Sequence, residues 1–246
     1  MEAKQAGRDT LTSKTPTCGA IIVASGTSER MGGEDKISVK LAGKPLVQWS
    51  VECLARSDRI GEIALVLSEK NLRLGEELIR SEGWKKVKLC LGDLRRQDSV
   101  KKGLDMLQAC EFVIVHDAAR PCITDRIVEQ GIVCALEHGS AVAAAQITDT
   151  VKRVITENMT VYQTEDRRKL WTVQTPQIFR YDVLKQAYAS EQKFQPYTDV
   201  PITDESMLVE QMGVEVRLYA SSRENIKVTE PVDLLLAGQI LLSRRP

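Results

Sequence analysis

The sequence is short of the residues that usually announce covalent or general-base catalysis. It holds two histidines, His116 and His138, and no motif that pairs a nucleophile with a base. Its six cysteines (Cys18, Cys53, Cys90, Cys110, Cys122, Cys134) are scattered without a C-x-x-C pair, most of them in apolar runs. That points away from a zinc or disulfide framework and toward reduced core thiols. No apolar run approaches the ~18 residues of a membrane-spanning helix. The first fifteen residues are polar and lack the apolar centre of a secretory signal, so they read as a disordered tail on a cytoplasmic protein. Charge of one sign is also missing: Lys+Arg and Asp+Glu both total 34, without the basic excess expected of a nucleic-acid or acidic-membrane surface. Neither G-x-x-x-x-G-K-[ST] nor G-x-G-x-x-G occurs, since Gly26 is followed at the needed spacing by Ser28. There is no internal repeat and no low-complexity tract.

What is present is a strand–helix alternation. A chain of 246 residues, 43% hydrophobic and 28% charged, can bury the core of one large α/β domain over residues 16–246. Near-continuous apolar runs at residues 18–24, 63–67, 87–91, 112–116 and 141–147 read as strands buried on both faces. Helices are expected after Pro45, over about 71–83, 99–109, 125–137, 181–190, 204–212 and 231–242, with a strand at 214–219. Repeated βαβ units imply a three-layer sandwich around a mainly parallel, Rossmann-like sheet. The rhythm breaks at about 150–168, where residues 150–155 and 159–164 read as a hairpin turning at Glu157-Asn158. This arm either forms its own sheet or reaches toward another subunit, and the marginal stability of a lone hairpin favours the second.

Candidate chemistry clusters after the strands. Ser25, Gly26, Thr27, Ser28, Gly32 and Gly33 form a loop that lets backbone N–H groups approach a phosphate, with Arg30 and Lys36 following it; the plain alternative is a βα turn with two solvated charges. Asp117 follows the fourth strand, where ligands of open α/β sheets bind, and a carboxylate with phosphate oxygens is a usual Mg²⁺ shell. Alternatively, Asp117 caps its turn and pairs with Arg120. His116 reads as packed and hydrogen-bonded rather than catalytic. In the 92–100 segment, Gly92 permits a close approach to a flat base, and Asp93 or Ser99 can bond its edge. Equally, Ser99 or Asp98 starts a helix there and Arg95 and Arg96 form a solvated face. Asp204 and Glu205 have a structural explanation as acids at a helix start. Lys227 stands in an otherwise apolar, strand-like run, where a phosphate would be a suitable partner.

The ordered set A-S-G-T-S-E-R-M-G, G-D-L-R-R-Q-D-S-V, V-H-D-A-A-R-P, T-D-T-V-K-R, T-P-Q, I-T-D-E and N-I-K-V-T resembles the 2-C-methyl-D-erythritol 4-phosphate cytidylyltransferases of the non-mevalonate isoprenoid pathway. The resemblance runs from about Cys18 to the last helix. It implies a nucleotidyltransferase fold, a homodimer joined through the hairpin arm, and transfer of CMP from CTP to methylerythritol phosphate with Mg²⁺. By position it implies that Arg30 and Lys36 hold the triphosphate and the transition state. Ala24, Ser25, Gly26, Gly92, Asp93, Ser99 and Ala118 would contact the cytidine nucleotide, and Asp117 the metal. Arg120, Thr150, Thr175 and Lys227 would surround the acceptor phosphate, with Lys227 counted among the catalytic cations. Arg167 would reach the partner's site, and Asp204 would lie near the polyol. The chain departs from the family at Ala24-Ser25, where two alanines are usual, and at Asp35-Lys36-Ile37, where P-K-Q is common. The second departure leaves Lys40 as the alternative to Lys36.

The chemistry suits the composition. A phosphate monoester, with a second pKa of about 6, is mostly a dianion at neutral pH and needs no base to attack. Such a reaction asks for alignment of two anions and neutralisation of the charge that builds on the phosphates. Two competing readings stand beside this one: a cytidylyltransferase for another polyol phosphate such as ribitol 5-phosphate, and a catalytically silent nucleotide-binding relative.

Overall fold

A computed structural model describes residues 18–26, 35–190 and 202–244. The tail over residues 1–15 and the loop residues Thr27, Ser28, Arg30, Gly32 and Gly33 therefore lie outside the described residues.

The strands are β1 (Cys18–Ala24), the short pair β2 (Lys40–Leu41) and β3 (Lys44–Pro45), β4 (Ile60–Leu67), β5 (Val87–Leu91), β6 (Phe112–Asp117), β7 (Ser140–Gln146), β8 (Lys152–Ile155), β9 (Thr160–Thr164), β10 (Trp171–Arg180) and β11 (Leu218–Ala220). The helices are α1 (Leu46–Arg56), α2 (Leu72–Glu82), α3 (Arg96–Met106), α4 (Asp125–His138), α5 (Tyr181–Ser190), α6 (Glu205–Gln211) and α7 (Pro231–Ser243). Seven strands make one sheet in the order β11-β7-β10-β6-β1-β4-β5. Its neighbours are parallel except at β10, which runs antiparallel to both β6 and β7. Among the described residues, no helix is long and apolar enough to cross a membrane.

The two-residue period of a strand divides the core into two layers. Ala20 and Ile22 of β1 pack with α1, α2, α4 and α7, while Ile21 packs with α3, α5 and α6. The closest helix approach is glycine-dependent. A Cβ on Gly103 of α3 would lie 2.7 Å from Ile21 Cγ2 and 3.0 Å from Val66 Cγ2, so only glycine lets α3 settle this near the sheet. The first turn of α3 is thereby brought to the carboxyl edge of β1 and β6.

Several expectations need correction. Helix α3 starts at Arg96 rather than near Ser99, and its flanking residue is Arg95, so neither Ser99 nor Asp98 caps it. Pro45 stands just outside α1, in an extended conformation. The last sheet strand covers 218–220, not 214–219. The 225–229 run is an extended loop rather than a strand, tied to the β6 turn by the Val228 N–H, which donates to Ala119 O at 2.7 Å. Strand β10 goes unforeseen because its interior is polar: Gln174, Thr175 and Gln177 are all buried. Its ladder to β7 is interrupted between Val173 and Gln177, where Pro176 has no N–H to donate. The arm forms its own two-stranded sheet of β8 and β9 about the expected turn.

Candidate active site

Strands β1, β5 and β6 end side by side or one strand apart, and the loops leaving them enclose a cavity of about 230 Å³. Ala24, Ser25 and Gly26 line it from β1, Asp93 from β5 and Asp117 from β6. Lys36, Arg96 and Lys227 bring three cations to the same space.

Asp117 is the centre of the arrangement. Its Oδ1 accepts from Arg96 Nε at 3.0 Å and Nη2 at 2.9 Å, and its Oδ2 faces Lys227 Nζ at 2.7 Å. Burial pushes this carboxyl toward its neutral form, but Arg96 and then Lys227 outweigh burial and hold it well below the usual carboxylate range. Arg96 also donates to Glu205, Nη1 to Oε1 at 2.7 Å and Nη2 to Oε2 at 3.1 Å, and Tyr188 Oη donates to Glu205 Oε1 at 3.0 Å. Burial alone would lower the guanidinium's pKa; Glu205 and Asp117 raise it far above its ordinary value. A fixed arginine fork thus clamps two carboxylates, and one of them faces the cavity.

His116 plays the packed part expected of it. Its Nε2 lies 3.3 Å from Arg120 O, which can only accept, so Nε2 carries the proton. Nδ1 then accepts from the Thr175 hydroxyl at 3.0 Å, and that hydroxyl oxygen accepts the Asp117 N–H at 3.0 Å. Burial lowers the imidazole pKa to about 4, with the Asp117 charge opposing, so the ring is neutral.

The opposite wall depends on Gly92. A Cβ there would sit 2.4 Å from Ser25 Cβ, so the β1 and β5 loops touch only because Gly92 has none. Ser99 is fully buried behind them; its Oγ lies 2.8 Å from Ser25 Oγ and accepts the Asp93 N–H at 2.8 Å.

Of the residues singled out in the sequence, Ala24, Ser25, Gly26, Lys36, Asp93, Asp117 and Lys227 border one cavity, and Gly92 and Ser99 brace it. Lys36 borders it and Lys40 does not. Ala118 is behind the wall, fully buried with its N–H given to Val23 O at 2.9 Å, and Ala119 takes its place on the lining. Arg120 does not pair with Asp117: its Nη1 donates to Asn225 O at 2.8 Å, and its buried Nε has no hydrogen-bond partner among the described residues. Lys227 is partnered by the Asp117 carboxylate rather than by a phosphate. Asp204 acts as the α6 N-cap, with Oδ1 accepting from Met207 N and Oδ2 from Gln177 Nε2 at 2.9 Å. Thr150 and Arg167 are exposed at the root of the arm, away from the cavity lining, and Arg167 Nη1 donates to Thr148 O at 2.6 Å. Arg30 lies outside the described residues.

Arg96 and Glu205 are the residues that sequence reading passed over, one as part of a solvated face and the other as a first-turn acid. A signal existed for both. Arg96, Ser99, Val100 and Gly103 share one helical face, as do Glu205, Leu208 and Val209, and a charge in register with an apolar stripe is a buried charge. A roomier cavity of about 340 Å³ beside Cys53, Arg56 and Asp125 contains none of the singled-out residues. Its charges satisfy one another, with Arg56 Nη2 2.9 Å from Asp125 Oδ1.

Comparison with known proteins decides the family. Residues 18–243 match the family model described as 2-C-methyl-D-erythritol 4-phosphate cytidylyltransferase (IspD). The chain belongs to this family. A 2-C-methyl-D-erythritol 4-phosphate cytidylyltransferase of Dehalococcoides mccartyi is 42% identical over 227 residues, covering 92% of this chain and 96% of the relative. One from Alkaliphilus oremlandii is 39% identical over 229 residues, covering 92% and 95%. Among solved structures, the cytidylyltransferase of Francisella tularensis superposes with a TM-score of 0.74 at 25% identity, covering 91% of this chain and 99% of that one. That of Thermus thermophilus superposes with a TM-score of 0.71 at 25% identity, covering 92% and 98%. The cytidylyltransferase fold is therefore the frame on which the Asp117 cluster stands.

Proposed function

We propose that this chain carries out its family's reaction, cytidylyl transfer from CTP to 2-C-methyl-D-erythritol 4-phosphate, at the cavity around Asp117. The observation that carries the reading is the convergence of Lys36, Arg96 and Lys227 on one small cavity at the carboxyl edge of the sheet. A phosphate oxygen of the acceptor attacks the α-phosphorus of CTP; that P–O bond forms as the bond to the pyrophosphate oxygen breaks. No base is required, because the monoester is already a dianion, and neutral His116 is committed to structure. Lys36 neutralises charge on the triphosphate as the bond to pyrophosphate lengthens. Lys227, with its side chain 41% exposed, can exchange the Asp117 carboxylate for the acceptor phosphate. Arg120, a buried cation with an unpartnered Nε, offers a second donor to that phosphate. On the nucleotide side, Gly92 leaves room for a flat base, and Asp93 and Ser25 supply polar atoms beside it.

The reading includes Mg²⁺. Among the described residues, no three His, Cys, Asp or Glu side chains are arranged to hold a metal. A lone carboxylate fits an ion that arrives with phosphate oxygens in its shell, not one held by protein alone. Asp117 would hold it through Oδ2 once Lys227 moves away, and the bound ion would neutralise charge on the triphosphate. The reading also includes a cytoplasmic enzyme that works as a homodimer, with Arg167 on the arm serving the partner's site. Four apolar side chains exposed on the arm, Ile155, Met159, Val161 and Tyr162, support that pairing.

The deciding assay follows pyrophosphate release from CTP and Mg²⁺, with methylerythritol 4-phosphate and ribitol 5-phosphate offered in parallel. Release with the first alone is expected. Release with ribitol phosphate alone would keep the nucleotide site and replace the acceptor. No release with either, from protein that binds CTP, would remove catalysis from the reading.

A further inference from the structure

We propose that Asp35 and Asn71 form a clasp that positions Lys36 for the reaction, an inference resting on the reading of Lys36 given above. Lys36 has a neighbour anchored on each side. Ile37 is buried to 1% exposure, and its carbonyl accepts the Val47 N–H at 3.3 Å. On the other side, Asp35 ties the chain down with both carboxylate oxygens. Oδ1 accepts the Ile37 N–H at 3.2 Å, closing a turn around Lys36 itself. Oδ2 accepts from Asn71 Nδ2 at 2.5 Å and faces Lys70 Nζ at 3.1 Å.

Asn71 is well placed for this. It is buried, its N–H donates to Ser68 O at 2.9 Å, and its Nδ2 also reaches Ser68 Oγ at 3.1 Å. Ser68 directly follows β4, the strand hydrogen-bonded to β1. The clasp therefore joins the backbone beside Lys36 to the rigid edge of the sheet that carries the site.

The physical need is specific to lysine. Its ammonium stands at the end of a four-carbon stem, and its position is only as well defined as the peptide that carries it. The ammonium already points across the cavity, 3.4 Å from the carbonyl oxygen of Val228, the residue after Lys227. Without the clasp, the Lys36 peptide loses its tie to the end of β4. Lys36 acts on charge that grows in the transition state, so looseness there lowers kcat more than it weakens binding of CTP.

The test measures steady-state pyrophosphate release and equilibrium CTP binding for Asp35→Ala, Asn71→Ala and the double variant. Each single change is expected to lower kcat about tenfold, short of the ~10²-fold cost of an ångström's misplacement, with CTP affinity within about twofold. The double variant should be no worse than either single one, because both remove the same contact. Asn71→Asp, which sets two carboxylates against each other, should also lose about tenfold. Adding Asp35→Asn to it should restore turnover, since the new amide donates to the new carboxylate while its carbonyl accepts the Ile37 N–H. Additive losses, a loss confined to CTP binding, or no recovery in the exchanged pair would overturn the clasp. Lys36→Ala separates the two levels. If it is inactive while the clasp variants turn over normally, the clasp alone fails; if it is fully active, the reading of Lys36 fails and the clasp with it.

Discussion

At the scale of single residues, charge placement separates Lys36 from His116. Lys36 borders the cavity and faces developing negative charge, so its removal should cost turnover and leave the fold intact. Lys36→Ala is expected to lower kcat by roughly 10² to 10³, a few kcal/mol of transition-state stabilisation, with an unchanged melting temperature. His116 should behave in the opposite way, through stability. Its pKa is lowered to about 4 in the folded chain, against about 6.5 when unfolded, so between these values the unfolded chain binds the extra proton. Stability is fully present above about pH 6.5 and is lost as pH falls toward 4, by on the order of 3 kcal/mol. Urea midpoints of the parent chain and His116→Asn across pH 4 to 7 check this: the variant's profile should be flatter in that window. Equal slopes would show that the imidazole titrates as an ordinary exposed one.

At the scale of elements, the site depends on two helices meeting over a buried ion network. Arg96 opens α3 and Glu205 opens α6, 109 residues apart in sequence and 2.7 Å apart in space. Both are drawn in by the apolar stripes of their own helices, and each charge is tolerable only because the other is present. Glu205→Ala should therefore destabilise the chain by about 3 to 5 kcal/mol in urea unfolding, since it leaves a buried guanidinium with one carboxylate for two. A loss below about 1 kcal/mol would mean that Asp117 alone satisfies Arg96. The contrast is Arg73–Glu77 on α2, a pair exposed at both ends that contributes little. The same scale explains what the sequence made legible. Strand β5 falls at the expected residues, and β1, β4, β6 and β7 fall near theirs, because strands buried on both faces are unbroken apolar runs. Strand β10 has no such run: its buried Gln174, Thr175 and Gln177 are held by hydrogen bonds to partners distant in sequence, Gln177 to Asp204 and Thr175 to His116.

At the scale of the whole molecule, the arm is the element without a core. Strands β8 and β9 pair only with each other, and all five residues of β9 are exposed. A two-stranded hairpin is marginal alone, so an apolar face on it calls for a partner surface. Light scattering should give a mass of twice 27.4 kDa for the parent chain. Val161→Asp with Tyr162→Asp should return it to a single chain and, if Arg167 serves the partner's site, lower turnover as well. A monomeric parent chain, or an unchanged mass in the variant, would remove the arm from the assembly.

The sequence by itself determined the alternation of buried strands and amphipathic helices, the loops at the strand ends, and the family, because these are local patterns of apolar spacing and motif. Only the tertiary structure decided that Arg96 and Glu205 are buried partners, that Lys227 pairs with Asp117, and that Asp35 is held by Asn71. The reason is physical: a charged side chain carries no sequence mark of its partner, and pairs 36 to 110 residues apart exist only once the sheet has set its strand ends side by side.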